Sequence, residues 1–247
     1  MVISIPSIVA HRGLHSRQPE NSLSAMEAAW EGGVDWCECD IQLSSDGQFV
    51  VLHDDKLDRT TTGQGVMSNF TWEELQKLWL RGAGKKSTGE KLPLLQQLLD
   101  AMPQHAGLLI EIKPVLTREP MKRVLELVKG RRCMLQSFAR ENLVLLEAIG
   151  VDFPTAWLVD DAFSAVTDGN LVPVPCTAVY TGHKNLNSIL VQHIRGNGRA
   201  VGCWTVNTDA DIRRVVGLGV DTIITDQPAR VMRIAPPRGA RQAGQNR

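Results

Sequence analysis

The chain reads as an α/β protein, a (β/α)8 TIM barrel with a small insertion after the second strand, and three observations lead there. Strand-like and helix-like segments alternate along most of its length. One link, Ser44-Ser45-Asp46-Gly47, is too short for the crossover that parallel strands need, so the run after it must return antiparallel. Setting that run aside leaves eight strands with helices between them, the number a closed parallel barrel uses. The competing architecture, an open doubly wound sheet, calls for a Gly-rich fingerprint after the first strand, and the sequence has none there.

The elements follow in order. Ser7–His11 is the first strand, and the helix from about Asn21 to Glu31 has capping-box spacing at Ser24 and Glu27. Trp36–Gln42 is the second strand and Gln48–His53 the returning one. The stretch Asp58–Ser68 is irregular, a short helix runs from Thr71 towards Trp79 with Thr71 and Glu74 at capping-box spacing, and Arg81–Lys91, rich in glycine and basic residues, is expected as an exposed loop. After a helix near Leu94–Met102 the alternation is regular. Strands are expected at Leu108–Lys113, Met134–Phe138, Thr155–Val159, Thr177–Tyr180, Ala200–Val206 and Asp221–Thr225. Between them fall helices at Glu119–Lys129, Arg140–Ile149, near Ala162–Thr167, Asn187–Asn197 and Asp209–Leu218. Residues 1–235 are thus expected to form one barrel domain with an insertion at about 43–92, and 236–247 a disordered tail.

Composition narrows the function. With 247 residues, 43% of them hydrophobic, the chain can bury a large core. Its 27 basic residues equal its 27 acidic ones, so no general attraction to nucleic acid or anionic lipid is expected. Five cysteines, an odd number mostly inside apolar runs and without C-x-x-C spacing, read as buried free thiols in a reducing compartment, and zinc is not expected at them. The opening residues have no basic leader region and no apolar run is long enough for a membrane span, so the expected location is cytoplasmic, without stable membrane insertion. A mixed surface is compatible with a monomer or a homodimer.

Four clusters close apolar strands with titratable side chains: His11-Arg12-Gly13, Glu38-Cys39-Asp40, His53-Asp54 and Glu111-Ile112-Lys113. Such groups belong in a hydrophobic strand only if the strand ends meet around something polar. Glu38, Asp40 and Glu111 are candidate ligands of a hard divalent cation, Mg²⁺ or Ca²⁺ with Mn²⁺ also suited, because converging carboxylates repel one another without one. His11 and His53 are candidate catalytic groups for proton transfer, and Arg12 and Lys113 candidate anion-binding groups. Together they form a kit for metal-assisted attack on a phosphate ester. A solvent-facing edge for Glu38 and Asp40, or a structural ion pair for Glu111 and Lys113, is the plainer alternative; Cys37, Cys39 and Ile41 on the opposite face turn the acidic face of the second strand inward.

The hairpin register bears on His53. A two- or four-residue loop places it on the face shared by Glu38 and Asp40, whereas a three-residue loop sets it opposite Cys39 and spoils the site. Trp204 is a candidate substrate-binding residue near a strand end, and Phe70, Trp72 and Trp79 in the insertion are expected to help cover the barrel mouth. Asp54 is expected either to orient an imidazole or to cap the hairpin, with the cap favoured. Glu20 is expected either near the metal or at the start of the first helix, with Asn21 as N-cap. His15, His105, His183 and His193 are expected as surface or packing residues.

In order along the chain, His-Arg-Gly, Pro19-Glu20-Asn21-Ser22, Glu-x-Asp, an Asp-Gly turn, His-Asp, Glu-Ile-Lys, Gln136-Ser137-Phe138, Trp204-Thr205-Val206-Asn207 and Thr225-Asp226-Gln227-Pro228 resemble the glycerophosphodiester phosphodiesterases. The match runs from about Ile8 to Pro228 and is strongest towards the short bacterial cytosolic members. The resemblance implies a barrel with an insertion after its second strand. It also implies hydrolysis of deacylated phospholipid headgroups, such as glycerophosphocholine or glycerophosphoethanolamine, to glycerol 3-phosphate and an alcohol. It assigns the cation to Glu38, Asp40 and Glu111, acid and base to His11 and His53, and phosphate contacts to Arg12 and Lys113. The segment Thr225–Pro228 is expected only to close the barrel. Two other readings use the same kit: cleavage of an intact lipid by a phospholipase or lyase, and a non-catalytic phosphate or metal sensor.

Overall fold

The computed structural model describes residues 7–82, 86–150, 153–160 and 174–235. The expected helix near Ala162–Thr167 and the expected tail lie outside the described residues. The order is β1 (Ser7–Ala10), α1 (Leu23–Glu31), β2 (Trp36–Leu43), β3 (Phe49–Val51), α2 (Trp72–Leu75), β4 (Trp79–Arg81), β5 (Ser87–Lys91), α3 (Leu95–Ala101), β6 (Gly107–Ile112), α4 (Arg118–Val128), β7 (Cys133–Ser137), α5 (Arg140–Ile149) and β8 (Thr155–Val159). It continues with β9 (Ala178–Gly182), α6 (Ser188–Gly196), β10 (Ala200–Trp204), α7 (Asp209–Gly217), β11 (Thr222–Thr225) and α8 (Pro228–Ile234).

Strands β1, β2, β6, β7, β8, β9, β10 and β11 pair in parallel in that order, and β1 bonds both β2 and β11, so the sheet closes. Strand alternation sorts the residues. On β2, Cys37, Cys39 and Ile41 pack outward against the helical layer, together with Leu108, Ile110 and Ile112 of β6. Inside the barrel, Val9, Leu109, Ala156, Leu158, Ala178, Tyr180 and Ile224 form a separate apolar plug. Two large rings fit there because glycine stands beside each. Gly107 pairs with Trp36 and Gly202 with Tyr180, and a Cβ on either glycine would fall 2.5 Å or 2.3 Å from the neighbouring ring. The plug lies beneath the C-terminal mouth of the barrel, where the charged strand ends gather.

The insertion between β2 and α3 has its own small core of Val50, Leu52, Leu57, Met67, Leu75, Leu80 and Leu92. That core accounts for one departure from expectation: Arg81 and Ser87–Lys91 are strand and not plain loop, because burying Leu80 and Leu92 pairs β4 with β5, and Lys91 Nζ lies 3.4 Å over the Trp79 ring. The capping box at Thr71 and Glu74 is present, but the helix it starts ends at Leu75. The N-cap of α1 is Ser22, whose hydroxyl accepts from Ala25 N–H, rather than Ser24 or Asn21. Ser24 instead donates its N–H and hydroxyl to Glu90 of β5, which ties the insertion to α1. Helix α8, begun by Pro228, was not among the expected elements.

The β2–β3 register also differs. Leu43 opposes Phe49, Ile41 opposes Val51, and Ser44 N–H donates to the Gln48 carbonyl. The loop is therefore three residues long, with Gly47 at φ +81°. This register was expected to carry His53 to the wrong face. The pairing stops before it can: Leu52 N–H donates to the Asp40 carbonyl, and Gln42 Nε2 then donates to the carbonyls of His53 and Asp54. Gln42 shares the inward face of β2 and bends the departing chain across the barrel mouth.

Candidate active site

The C-terminal ends of β1, β2 and β6 bring the acidic residues together. Asp40 and Glu111 are paired across neighbouring strands, and Glu38 sits one alternation back on the same face of β2. All three are buried, and each offers an oxygen within 4.8 Å of the others. Burial first, and then the facing carboxylates, pushes Glu38 well above the ordinary carboxylate range and Glu111 up to about 7. That repulsion is only partly relieved by the protein's own cations. Lys113 Nζ lies 2.9 Å from Glu111 and 3.8 Å from Asp40, and Arg12 Nε lies 3.3 Å from Asp40. Asn21, held at φ +57°, donates its amide to Asp40 at 2.7 Å, which is a more specific task than the helix capping expected of it. The donor set is all oxygen, strained by like charge, and fits a hard divalent cation.

These residues line a cavity of about 280 Å³ together with His11, His53, Gln136, Phe138, Leu158, Asp160, Trp204, Thr205 and Ile224. A larger groove of about 500 Å³ runs outside the barrel between β3, α3 and α4. Its lining mixes Glu119, Lys122, Arg123 and Glu126 with apolar residues and gathers no comparable set of like charges. The candidate site residues line the smaller one.

Both candidate histidines are oriented by a carboxylate. His53 Nδ1 is 2.6 Å from Asp54, and His11 Nδ1 is 2.7 Å from Asp226. In the neutral ring an N–H at Nδ1 then serves the carboxylate and leaves Nε2 as the free nitrogen. Of the two roles expected of Asp54, the contact with His53 is the orienting one. Burial lowers the His53 pKa, outweighing the raising effect of Asp40 and Asp54. For Asp226, burial opposes ionisation, yet the hydrogen bonds from His11 and His15 bring its pKa below the usual range. The Thr225–Pro228 segment therefore does more than close the barrel. His15, expected as surface or packing, places Nε2 3.1 Å from the same Asp226 oxygen.

Arg59 of the insertion was not singled out in the sequence. It bonds Asp54 through Nε at 2.5 Å and Glu20 through Nη1 at 2.6 Å, while Glu20 also takes Arg12 Nη1 at 2.7 Å. The chain Arg12–Glu20–Arg59–Asp54–His53 links the candidate anion-binding group to the second candidate histidine. Burial alone would raise Glu20, but Arg59 and Arg12 hold it at about 2. Glu20 therefore bonds Arg12, which in turn contacts Asp40, and does not begin the helix, whose N-cap is Ser22. Arg12 itself has φ +55°, a strained setting fixed by Gly13, whose Cβ position is filled by the backbone of Ala25.

Trp204 lines the cavity and meets Phe138 edge to face at 5.8 Å, with its indole N–H buried and without a partner. Phe70, Trp72 and Trp79 do not line it; Phe70 and Trp72 pack on the insertion's own core. Gln136, paired with Glu111 across β6 and β7, reaches to 3.5 Å from Glu38. His183 is buried under Arg214 instead of facing the cavity. All five cysteines are free, and among the described residues no helix is long and apolar enough to cross a membrane.

Residues 11–230 match the model of the glycerophosphoryl diester phosphodiesterase family. The chain belongs to that family. A glycerophosphodiester phosphodiesterase of Bacillus subtilis is 32% identical, with 89% of this chain and 83% of that protein covered. One of Bacillus altitudinis is 31% identical, over 92% and 97%. Among solved structures, a phosphodiesterase of Oleispira antarctica, determined in complex with the product sn-glycerol-3-phosphate, superposes with TM-score 0.84 at 28% identity, covering 93% of the present chain and 96% of the Oleispira chain. The Thermotoga maritima family member, at 24% identity and TM-score 0.76, shares the fold.

Proposed function

We propose that the chain hydrolyses glycerophosphodiesters, such as glycerophosphocholine or glycerophosphoethanolamine, to glycerol 3-phosphate and an alcohol, using a divalent cation and the histidines His11 and His53. The observation that carries this reading is the gathering of Glu38, Asp40 and Glu111 in one cavity with both imidazoles. Bound by these three carboxylates, Mg²⁺ or Ca²⁺, with Mn²⁺ also suited, supplies positive charge to the phosphoryl oxygens.

The chain's own groups do the rest. Arg12 and Lys113 bind phosphate oxygens and stabilise the charge that grows on them as the nucleophile approaches. One imidazole takes at Nε2 the proton of the nucleophile, either water or the glycerol 2-hydroxyl by way of a cyclic phosphate that water then opens, and the other returns a proton to the leaving alkoxide. Asp54 and Asp226 keep each ring in the tautomer that frees Nε2 and stabilise it when protonated. The Trp204 and Phe138 side of the cavity accepts an ester arm of the substrate. A small-molecule substrate fits the cavity's size, and the cytoplasm as working compartment fits five reduced thiols.

A metal-by-substrate assay that detects glycerol 3-phosphate tests this directly. Release that requires a divalent ion and is lost with chelator is expected. Tight binding without turnover at any ion would turn the reading towards a sensor, and faster turnover of lipid vesicles than of soluble diesters towards a phospholipase.

A further inference from the structure

We propose that His11, His15 and Asp226 form a second cation site, separate from the carboxylate cluster, which takes a borderline divalent ion such as Zn²⁺ and blocks the reaction when filled. The blocking half of this proposal rests on the catalytic reading of His11 above; the site itself does not.

The three residues each offer one ligand atom, and these atoms lie within 4.8 Å of one another. Asp226 Oδ1 is 2.7 Å from His11 Nδ1 and 3.1 Å from His15 Nε2, so two ring nitrogens converge on one oxygen. A tetrahedral ion with bonds of about 2.0–2.1 Å sets its ligands roughly 3.3 Å apart, so the 3.1 Å contact of His15 with Asp226 is already near that spacing and the 2.7 Å contact of His11 with Asp226 must open by about half an ångström. The rings meet at 71° with centroids 6.4 Å apart, so they approach the shared oxygen from different directions. Asn207 holds Oδ2 at 2.7 Å and leaves Oδ1 to the two rings. Relative exposures of 21%, 27% and 28% leave a path for an ion and for water in the remaining coordination positions.

Donor type separates the two sites. Imidazole nitrogens favour Zn²⁺, Co²⁺ or Ni²⁺, whereas the all-oxygen trio of Glu38, Asp40 and Glu111 suits Mg²⁺ or Ca²⁺. The consequence for His11 follows from its tautomer. An ion on Nδ1 needs the lone pair there, so the neutral ring must carry its proton on Nε2. His15 shifts its proton from Nε2 to Nδ1 in the same way, and no net proton is released. His11 then has no free lone pair for a base and cannot become the imidazolium that an acid requires.

Visible absorption of Co²⁺ and zinc inhibition, both measured on the full chain in saturating Mg²⁺, test the proposal. One Co²⁺ per chain with bands shifted from those of the aqueous ion is expected, together with zinc inhibition of glycerol 3-phosphate release. The His15→Gln variant should keep zinc-free turnover within about threefold, while its Co²⁺ and Zn²⁺ constants weaken by at least about tenfold through loss of one ligand. Binding or inhibition that His15→Gln leaves unchanged would overturn the proposal, as would zinc inhibition that excess Mg²⁺ relieves, since that ion would occupy the carboxylate cluster. If the protein turned over no diester at all, the catalytic reading would fall, and the Co²⁺ spectrum would still decide for or against the site.

Discussion

The substitution Asp226→Asn removes one charge with almost no change in shape, and the surrounding hydrogen bonds dictate how the new amide must sit. Asn207 Oδ1 accepts from Asp226 N–H at 2.9 Å and from the Thr225 hydroxyl at 3.1 Å, so its Nδ2 is fixed as the donor to Asp226 Oδ2. The new amide has to turn its oxygen to Asn207 and its NH2 to His11. The His11 ring then accepts at Nδ1, and its neutral form carries the proton on Nε2, the wrong tautomer for a base. The protonated ring also loses a charge-assisted hydrogen bond worth about 1.5–3 kcal/mol, or roughly one to two orders of magnitude in rate. With the tautomer reversed as well, kcat should fall by about 10²- to 10⁴-fold. Initial rates of glycerol 3-phosphate release, with circular dichroism as the folding control, measure this. The double variant Asp226→Asn/Asn207→Asp supplies an acceptor where Asn207 had a donor, lets the amide oxygen face His11 again, and should recover at least about tenfold of the loss. A single variant within threefold of wild type, or a double variant no better than the single one, would refute the tautomer argument.

His11→Ala and His53→Ala should each lower turnover by about two to four orders of magnitude with the fold intact by circular dichroism. The Glu111 carboxyl, raised in the metal-free fold from the usual 4.5 to about 7, favours the folded state when protonated. Its stabilisation is present below pH 4.5 and disappears as pH rises through 7, a difference of about 3 kcal/mol. Calorimetry of the chelated protein should show Tm falling over that interval, less so in Glu111→Gln, and Mg²⁺ or Ca²⁺ should restore it only where the carboxylate remains. Gly13→Ala sets a Cβ 2.6 Å from the Ala25 carbonyl carbon at φ +78°. It should cost about 2–4 kcal/mol in urea unfolding and reduce activity by displacing His11 and Arg12.

The barrel and the acidic face of β2 were legible because both rest on local pattern. Period-two alternation puts Glu38 and Asp40 on one side of β2 and Cys37, Cys39 and Ile41 on the other, and β6 repeats the pattern with Glu111. What the sequence hid depends on distance or on a single local detail. Asp226 orients His11 across 215 positions, and nothing next to either residue announces the pairing. Arg59 lies in an irregular stretch where no periodicity marks it, yet it joins Glu20 to Asp54. The hairpin register turned on one residue of loop length. The site survived because Gln42 ends the strand pairing before His53, a contact that counting positions along an extended strand does not contain.

The central claim is that Glu38, Asp40 and Glu111 hold one divalent ion beside both imidazoles. Anomalous difference density from a crystal soaked in Mn²⁺ tests it most directly. The account predicts a single strong peak within bonding distance of all three carboxylates; a peak that leaves out Glu111, or no peak together with full activity in chelator, would contradict it.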